Sequence, residues 1–216
     1  MENINSTNLV KDRRLYLIWK RIIDILVSSF LLVFFCPLFL FICYRIYKKE
    51  GGPIFYREVR VGKNQRNFIM YSFRMMTNPS RIIWALPPYP ISEKWKEGVP
   101  DEFSFQNDKQ CTMTPTGIWL KKYNLQLLPR LWNVLKGDIS LVGPMPEKKE
   151  IVDCYNDWQQ KRLMVKPGLT GYARITRGDN MKYTERIHYD LFYIQNRSLK
   201  MDLKILWSTI KGDALS

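Results

Sequence analysis

From Ile25 to Tyr44 the chain runs through 20 residues without a charge, ILVSSFLLVFFCPLFLFICY. A helix rises about 1.5 Å per residue, so the run covers roughly 30 Å, the hydrocarbon thickness of a bilayer. That length argues against a helix buried in a soluble core. The run starts late and no small-residue cleavage site follows it, which argues against a secretory signal. Pro37 lies inside the run, where it removes a helical hydrogen bond and bends or breaks the helix at Cys36-Pro37. Both flanks are basic: Lys11, Arg13, Arg14, Lys20 and Arg21 precede the run, and Arg45, Lys48 and Lys49 follow it. Basic flanks stay on the cytoplasmic side of a membrane. Two of them fit a segment that enters, turns at Cys36-Pro37 and leaves by the same face; a straight span fits the length equally. Asp24, beside Lys20 and Arg21, reads as a local ion pair one helical turn long.

The remaining charge has to suit such an anchor. The chain carries 34 Lys+Arg against 20 Asp+Glu, a net charge of +14. A basic excess attracts nucleic acid, anionic lipid or phosphorylated small molecules. The apolar run excludes a soluble nucleic-acid binder, although aromatics interleaved with Lys and Arg could stack bases. No two of Cys36, Cys43, Cys111 and Cys154 make a CxxC pair, so no zinc site is expected. The single histidine, His188, excludes HExxH chemistry and reads as a surface or packing residue.

The 216 residues suit one domain beside the anchor. Residues 1–15 form a polar tail, 16–50 the membrane helix, and 51–216 a domain with an irregular Pro- and Trp-rich insertion near 77–106. Trp84 and Trp95 in that insertion suit a lipid interface or plain packing. Ile54–Arg60 and Asn67–Phe73 read as strands joined at Gly62-Lys63-Asn64-Gln65, a β-hairpin. Between Gly117 and Lys136 apolar residues recur at helical spacing, interrupted at Pro129 into two shorter helices and stopped by Gly137. Glu147 and Glu150 fit the first turn of a helix after Pro146, and Asp138 a turn. Leu199, Leu203, Leu206, Trp207 and Ile210 form a stripe that suits a membrane surface or docking on the core. The expected fold is mainly α with a small β-hairpin, an α+β domain on a membrane helix.

Several segments carry a resemblance. Cys36-Pro37 sits where a basic-flanked apolar run breaks. Glu58-Val59-Arg60-Val61-Gly62 leads to Phe73-Arg74-Met75-Met76. Leu128 to Pro144 reads LPRLWNVLKGDISLVGP, Lys166 to Gly171 reads KPGLTG, and Tyr189-Asp190 leads to Asp202-Leu203-Lys204. Together they resemble the monotopic bacterial sugar transferases, the polyprenyl-phosphate phosphoglycosyl transferases that start lipid-linked exopolysaccharide, capsule and O-antigen assembly. The likeness covers most of residues 16–212. It implies a re-entrant helix in the bacterial inner membrane with the domain on its cytoplasmic side. It also implies a reaction in which a phosphosugar passes from a nucleotide-sugar to polyprenyl phosphate. An aspartate attacks phosphorus, and the adjacent glutamate helps hold Mg²⁺.

The resemblance fails at the residues that carry this chemistry. The family's Asp-Glu pair directly precedes Leu-Pro; here those positions hold Gln126 and Leu127. The lysine of its KFR block is Ser72, the arginine of its VGPRP block is Met145, and Cys36 stands where serine is usual. An amide and an alkyl group cannot replace two carboxylates. The expectation is a pseudoenzyme, inactive alone, needing no cofactor, with Mg²⁺ only if active. It would work by binding the membrane, anionic lipid or polyprenyl phosphate, and by pairing as a homodimer or as a heterodimer with an active homologue. Arg60, Arg74 and Lys166 match retained positions and are the candidates to hold phosphate. The competing reading is an active transferase with relocated carboxylates, drawn from Glu58, Asp138, Glu147 and Glu150.

Overall fold

The computed structural model describes residues 14–77, 95, 97–101, 103, 112–177 and 181–212. Helix α1 (Arg14–Phe34) and helix α2 (Cys36–Glu50) meet at Phe35 with a bend of 60°. Pro37 lies in the first turn of α2. There its missing N–H has no helical partner to lose. The break thus falls where the sequence places it. Among the described residues no single helix is long and apolar enough to cross a membrane, but this bent pair together is.

The two limbs dock on the same domain. On α1, Arg21 donates to the carbonyls of Val134 and Leu135, each at 2.6 Å, and Lys20 meets Asp202 at 2.6 Å. Asp24 accepts the Leu141 N–H at 3.0 Å. The local pair expected for Asp24 is therefore not formed: its carboxylate answers a backbone donor far along the chain, and Lys20 turns to another acid. On α2, Ile42 and Ile46 are fully buried with Phe73 and Leu120. The outer faces stay bare, with Leu26, Phe30, Val33, Leu40 and Phe41 all exposed.

Strands β1 (Phe55–Val61) and β2 (Asn67–Phe73) form the expected hairpin, joined by a tight turn in which Asn64 and Gln65 take positive φ. Helix α3 (Pro115–Lys122), capped by Thr114, is followed by a 3-10 turn (Leu125–Leu127) and helix α4 (Arg130–Lys136). The helical stretch therefore breaks earlier than Pro129 alone requires, at Asn124, whose φ of 54° is left-handed. Gly137, at φ 90°, ends α4 as expected.

Strand β3 (Ser140–Val142) and strand β4 (Glu147–Lys148) come next. The first sheet runs β2-β1-β4, all antiparallel, with Arg60 opposite Lys148 and Val61 opposite Glu147. Glu147 is thus in a strand rather than a helical first turn; helix α5 (Lys149–Val152) starts two residues later and keeps Glu150 in its first turn. Helix α6 (Asp157–Gln160) leads to strand β5 (Gly168–Thr170), parallel to β3. There the Gly143 N–H reaches the Thr170 carbonyl at 2.9 Å and the Gly168 N–H the Pro144 carbonyl at 2.8 Å. A Cβ on Gly168 would collide with the Gly143 backbone. The VGP and KPGLTG segments are two sides of one close backbone contact.

Helices α7 (Tyr172–Arg177), α8 (Tyr183–Asn196) and α9 (Leu199–Lys211) complete the described chain. Val134, Ile139, Leu141, Ile187, Leu191 and Ile205 make the centre of the main core, joined by Trp95 and Val99. Trp95 therefore packs inside the domain. Helix α9 buries Asp202, Ile205 and Ser208 and exposes Leu203, Trp207 and Ile210. The tail 1–13, Trp84, Cys111 and most of the insertion lie outside the described residues.

Candidate functional site

The hairpin register decides which side chains share a surface. Residues opposite each other on antiparallel strands point to one face, so Tyr56, Glu58 and Arg60 stand beside Ser72, Met70 and Phe68. Lys148 joins them opposite Arg60. Helix α4 closes over the free edge of β2 through Asn133, which is fully buried. Its Oδ1 accepts the Tyr71 N–H at 3.1 Å, and its Nδ2 donates to the Ile69 carbonyl at 2.7 Å and to Asp138 Oδ2 at 3.0 Å. This amide acts as one more rung of the ladder. It fixes α4 so that Arg130 Nε donates to Ser72 Oγ at 3.2 Å.

Gln126 and Leu127 lie in the 3-10 turn packed on β2, just ahead of Arg130. Both are half-buried, and Gln126 Oε1 is buried without a hydrogen-bond partner. Met145 belongs to the loop that follows β3. Its carbonyl accepts from Arg162 at 2.9 Å, and the next carbonyl, Pro146, accepts from Arg60 at 3.1 Å. Ser72 and Arg60 thus share one face of the hairpin, the turn at Gln126-Leu127 packs on β2, and the loop that holds Met145 reaches Arg60 through the Pro146 carbonyl.

The electrostatics of that region are one-sided. Glu58 is gripped by Arg60 at 2.7 Å and Lys148 at 3.3 Å. Burial pushes Arg130 down to about 10, and the neighbouring charges of Arg60 and Arg174 add to this while Glu58 opposes it. Burial also lowers Lys148, against the pull of Glu58. Position 126 offers an amide and position 127 an alkyl group. Among the described residues, no three His, Cys, Asp or Glu side chains lie close enough together to hold a metal ion.

The other sequence candidates sit elsewhere or are occupied. Arg74 is buried and spends its donors on three carbonyls: Met76 at 2.9 Å, Gly52 at 2.9 Å and Thr77 at 2.8 Å. It ties the exit of α2 to the end of β2. Asp138 accepts from Asn133 and pairs with Lys136 at 3.3 Å. It stands past the C-terminus of α4, with Lys166 and Arg21 beside Gly137, a helix length of about 10 Å from Arg130. Glu147 is buried between Arg60 at 3.7 Å and Arg162 at 3.6 Å. Behind it Arg162 also pairs with Asp190 at 2.8 Å and donates to the Tyr155 hydroxyl at 2.8 Å. His188 is exposed and meets the edge of Trp158. Cys36 is exposed at the bend.

Arg130 is the residue that motif matching passes over. A cation four positions after Gln126, one helical turn on, was the available signal. Its neighbour Ser72, 58 residues away in the chain, was not readable from it.

A sequence profile of the family described as bacterial sugar transferase matches residues 15–213. Undecaprenyl-phosphate galactose phosphotransferase of Salmonella typhimurium is 35% identical over 209 residues, covering 95% of this chain and 42% of the relative. The uncharacterised sugar transferase EpsL of Bacillus subtilis is 34% identical over 197 residues, covering 90% of this chain and 87% of that protein. The exopolysaccharide production protein ExoY of Rhizobium meliloti is 34% identical over 201 residues, covering 91% and 86%. The chain spans about two fifths of the Salmonella relative and of a Haemophilus influenzae sugar transferase, at 42% and 40%, and most of the other two.

Proposed function

The chain belongs to the bacterial sugar transferase family, and on that premise we propose that it is a non-catalytic member serving the start of lipid-linked exopolysaccharide, capsule or O-antigen assembly beside an active homologue. The names of its relatives supply the ligands to consider: undecaprenyl phosphate for the Salmonella protein, and UDP-glucose with undecaprenyl phosphate for one from Klebsiella pneumoniae. For this chain the corresponding ligands are a polyprenyl phosphate and a nucleotide-sugar.

The observation that carries the reading is the turn at Gln126-Leu127, packed on β2 beside Arg130 and without a carboxylate. A phosphosugar-enzyme intermediate needs a nucleophile there, and an amide oxygen is too weak. Mg²⁺ does not fit the donor set either: the amide and alkyl positions offer no hard anionic ligand pair, and Glu58 is held by two cations. Relocated catalysis finds little support, because Asp138 and Glu147 are engaged by Asn133 and Lys136 and by Arg60 and Arg162.

The membrane reading is that α1 and α2 form a re-entrant hairpin in the inner membrane, with the domain on the cytoplasmic face. Two features support it. The apolar outer faces of both limbs are bare, and both limbs return to one domain through Asp24–Leu141 and through Ile42 and Ile46 on Phe73. A homodimer or a heterodimer with an active transferase is the assembly this scaffold would serve.

The test is purification of the chain with and without a homologue bearing an intact Asp-Glu pair, followed by transfer from a UDP-sugar to polyprenyl phosphate. The chain alone is expected to form no product and to co-purify with the homologue. Product from the chain alone would sink the proposal.

A further inference from the structure

We propose that the open edge of β1 pairs with the same edge of a second copy of the chain, antiparallel, with Tyr56 on the two-fold axis. The proposal rests on the assembly part of the reading above, names its surface, and does not depend on whether the chain turns over.

The ladder fixes which backbone groups are free. The Arg74 N–H reaches the Ile54 carbonyl at 2.9 Å, and the Gly62 N–H reaches the Arg66 carbonyl at 2.8 Å. Bonds to a neighbouring strand alternate, so the even-numbered residues of β1 carry those to β2, while Phe55 and Arg57 point their N–H and C=O groups the other way. On that side β4 pairs only with Arg60 and Val61. Among the described residues the outward groups of Phe55 and Arg57 have no partner. Beside them lies an open groove of about 610 Å³ lined by Pro53, Ile54, Phe55, Tyr56, Arg57 and Arg74. A bare edge of this kind is a template for another strand.

The two ends of the edge set the register. Pro53 has no N–H to offer. At the other end Lys148 stands opposite Arg60, and α5 begins at the next residue and closes the way. The usable edge is residues 54–58, centred on Tyr56. A second copy laid antiparallel on that centre sets Phe55 opposite the partner's Arg57, and Arg57 opposite the partner's Phe55. Each pair exchanges two backbone bonds, so about four cross the interface. The side chains match as well, because each guanidinium comes opposite an aromatic ring. Arg57 leans over the Tyr71 ring at 6.0 Å, toward β2, which holds the two arginines apart. Glu58 comes opposite the partner's Ile54 and is already answered by Arg60 and Lys148. Moving the axis to Phe55 puts Pro53 opposite Arg57 and loses a donor. Moving it to Arg57 puts two arginines face to face, which is repulsive. The edge is complementary to itself in one register, and a second copy supplies that complement by symmetry.

The test uses the full chain alone in detergent. Light scattering and native mass spectrometry should give a dimer. Tyr56→Cys, in a chain whose Cys36, Cys43, Cys111 and Cys154 are replaced by alanine, should cross-link to itself under mild oxidation. Residues facing each other across the axis in a non-hydrogen-bonded pair have Cα atoms about 4.5 Å apart, inside the disulfide range. Arg57→Cys should cross-link at least about ten-fold more slowly, because its two copies are diagonal neighbours about 7–8 Å apart. Arg57→Pro removes an outward N–H and no bond to β2, so the folded variant should dimerise about thirty-fold more weakly. If that variant unfolds, the two cysteine variants decide; if the cysteine-free chain unfolds, Arg57→Pro decides. A monomeric wild type, a dimer in which Tyr56→Cys does not cross-link, equal rates for the two cysteines, or an unweakened dimer of folded Arg57→Pro overturns the proposal. A monomer that still co-purifies with an active homologue sinks only this interface. Product from the chain alone sinks the non-catalytic reading and leaves this interface standing.

Discussion

Replacing Asn133 by alanine should cost roughly a third or more of the stability of an ordinary domain. Asn133 is fully buried and makes three hydrogen bonds, to the Tyr71 N–H, the Ile69 carbonyl and Asp138 Oδ2. β2 is an edge strand in the order β2-β1-β4, so no other strand can take over the first two. Each orphaned buried group costs about 1–3 kcal/mol, and the lost charge-assisted bond to Asp138 adds about 1 kcal/mol. The sum is about 3–7 kcal/mol. For a chain of this size each kcal/mol moves Tm by roughly 2–4 °C, so Asn133→Ala should melt roughly 6–28 °C below the wild type. Asn133→Asp is the sharper variant. It keeps an acceptor for Tyr71 but aims a carboxylate at the Ile69 carbonyl and at Asp138, so it should be no more stable than alanine. Thermal unfolding in one detergent, followed by circular dichroism at several heating rates, is the measurement. A loss below about 1 kcal/mol for Asn133→Ala, or a stable Asn133→Asp, would refute the view that this amide serves as the outer rung of the sheet.

Three further outcomes follow from other contacts. Arg162→Met should cost about 3–5 kcal/mol, because it leaves Glu147 and Asp190 buried without their shared cation; denaturation of the variant checks it, and a change under 1 kcal/mol contradicts it. Burial, partly offset by Arg162, pushes Asp190 from 3.8 up to about 6. The folded chain thus holds this proton more tightly than the unfolded one, so the stability it confers is full below about pH 4 and lost as pH rises through about 6. Asp190→Asn should flatten that part of a stability–pH curve, and an unchanged slope argues against it. Leu26→Asp and Phe30→Asp place charges on the bare face of α1, where each residue is 63% and 66% exposed, and should release the chain from membranes in an alkaline carbonate wash; retention equal to the wild type contradicts the buried-in-lipid reading.

Local chemistry made much of the fold legible. Pro37 could only sit in a first turn or a break, and alternation at Phe68 to Phe73 together with Gly62 announced the hairpin. Long-range pairing hid the rest. Asp24 is adjacent to two cations in the chain, yet it answers the Leu141 N–H, 117 residues away. Glu147 follows a proline and resembles a helix start, but a two-residue strand carries no period, and its pairing with Val61 is set by the hairpin. Arg74 matches a motif whose arginine invites a phosphate, while its donors are claimed by carbonyls of Gly52, Met76 and Thr77. The substituted positions Gln126, Leu127, Ser72 and Met145 were readable one by one. That Arg130 faces Ser72 required the third dimension.

A radiolabelled transfer assay on the highly purified wild-type chain, with a panel of UDP-sugars, polyprenyl phosphate and Mg²⁺, bears most directly on the absence of a nucleophile at Gln126. The account predicts that lipid-soluble counts stay at the level of the no-protein blank for every sugar, and that no phosphosugar adduct appears on the intact chain by mass spectrometry. Labelled lipid made in multiple turnovers by the chain alone, or a covalent phosphosugar on any of its side chains, would contradict it.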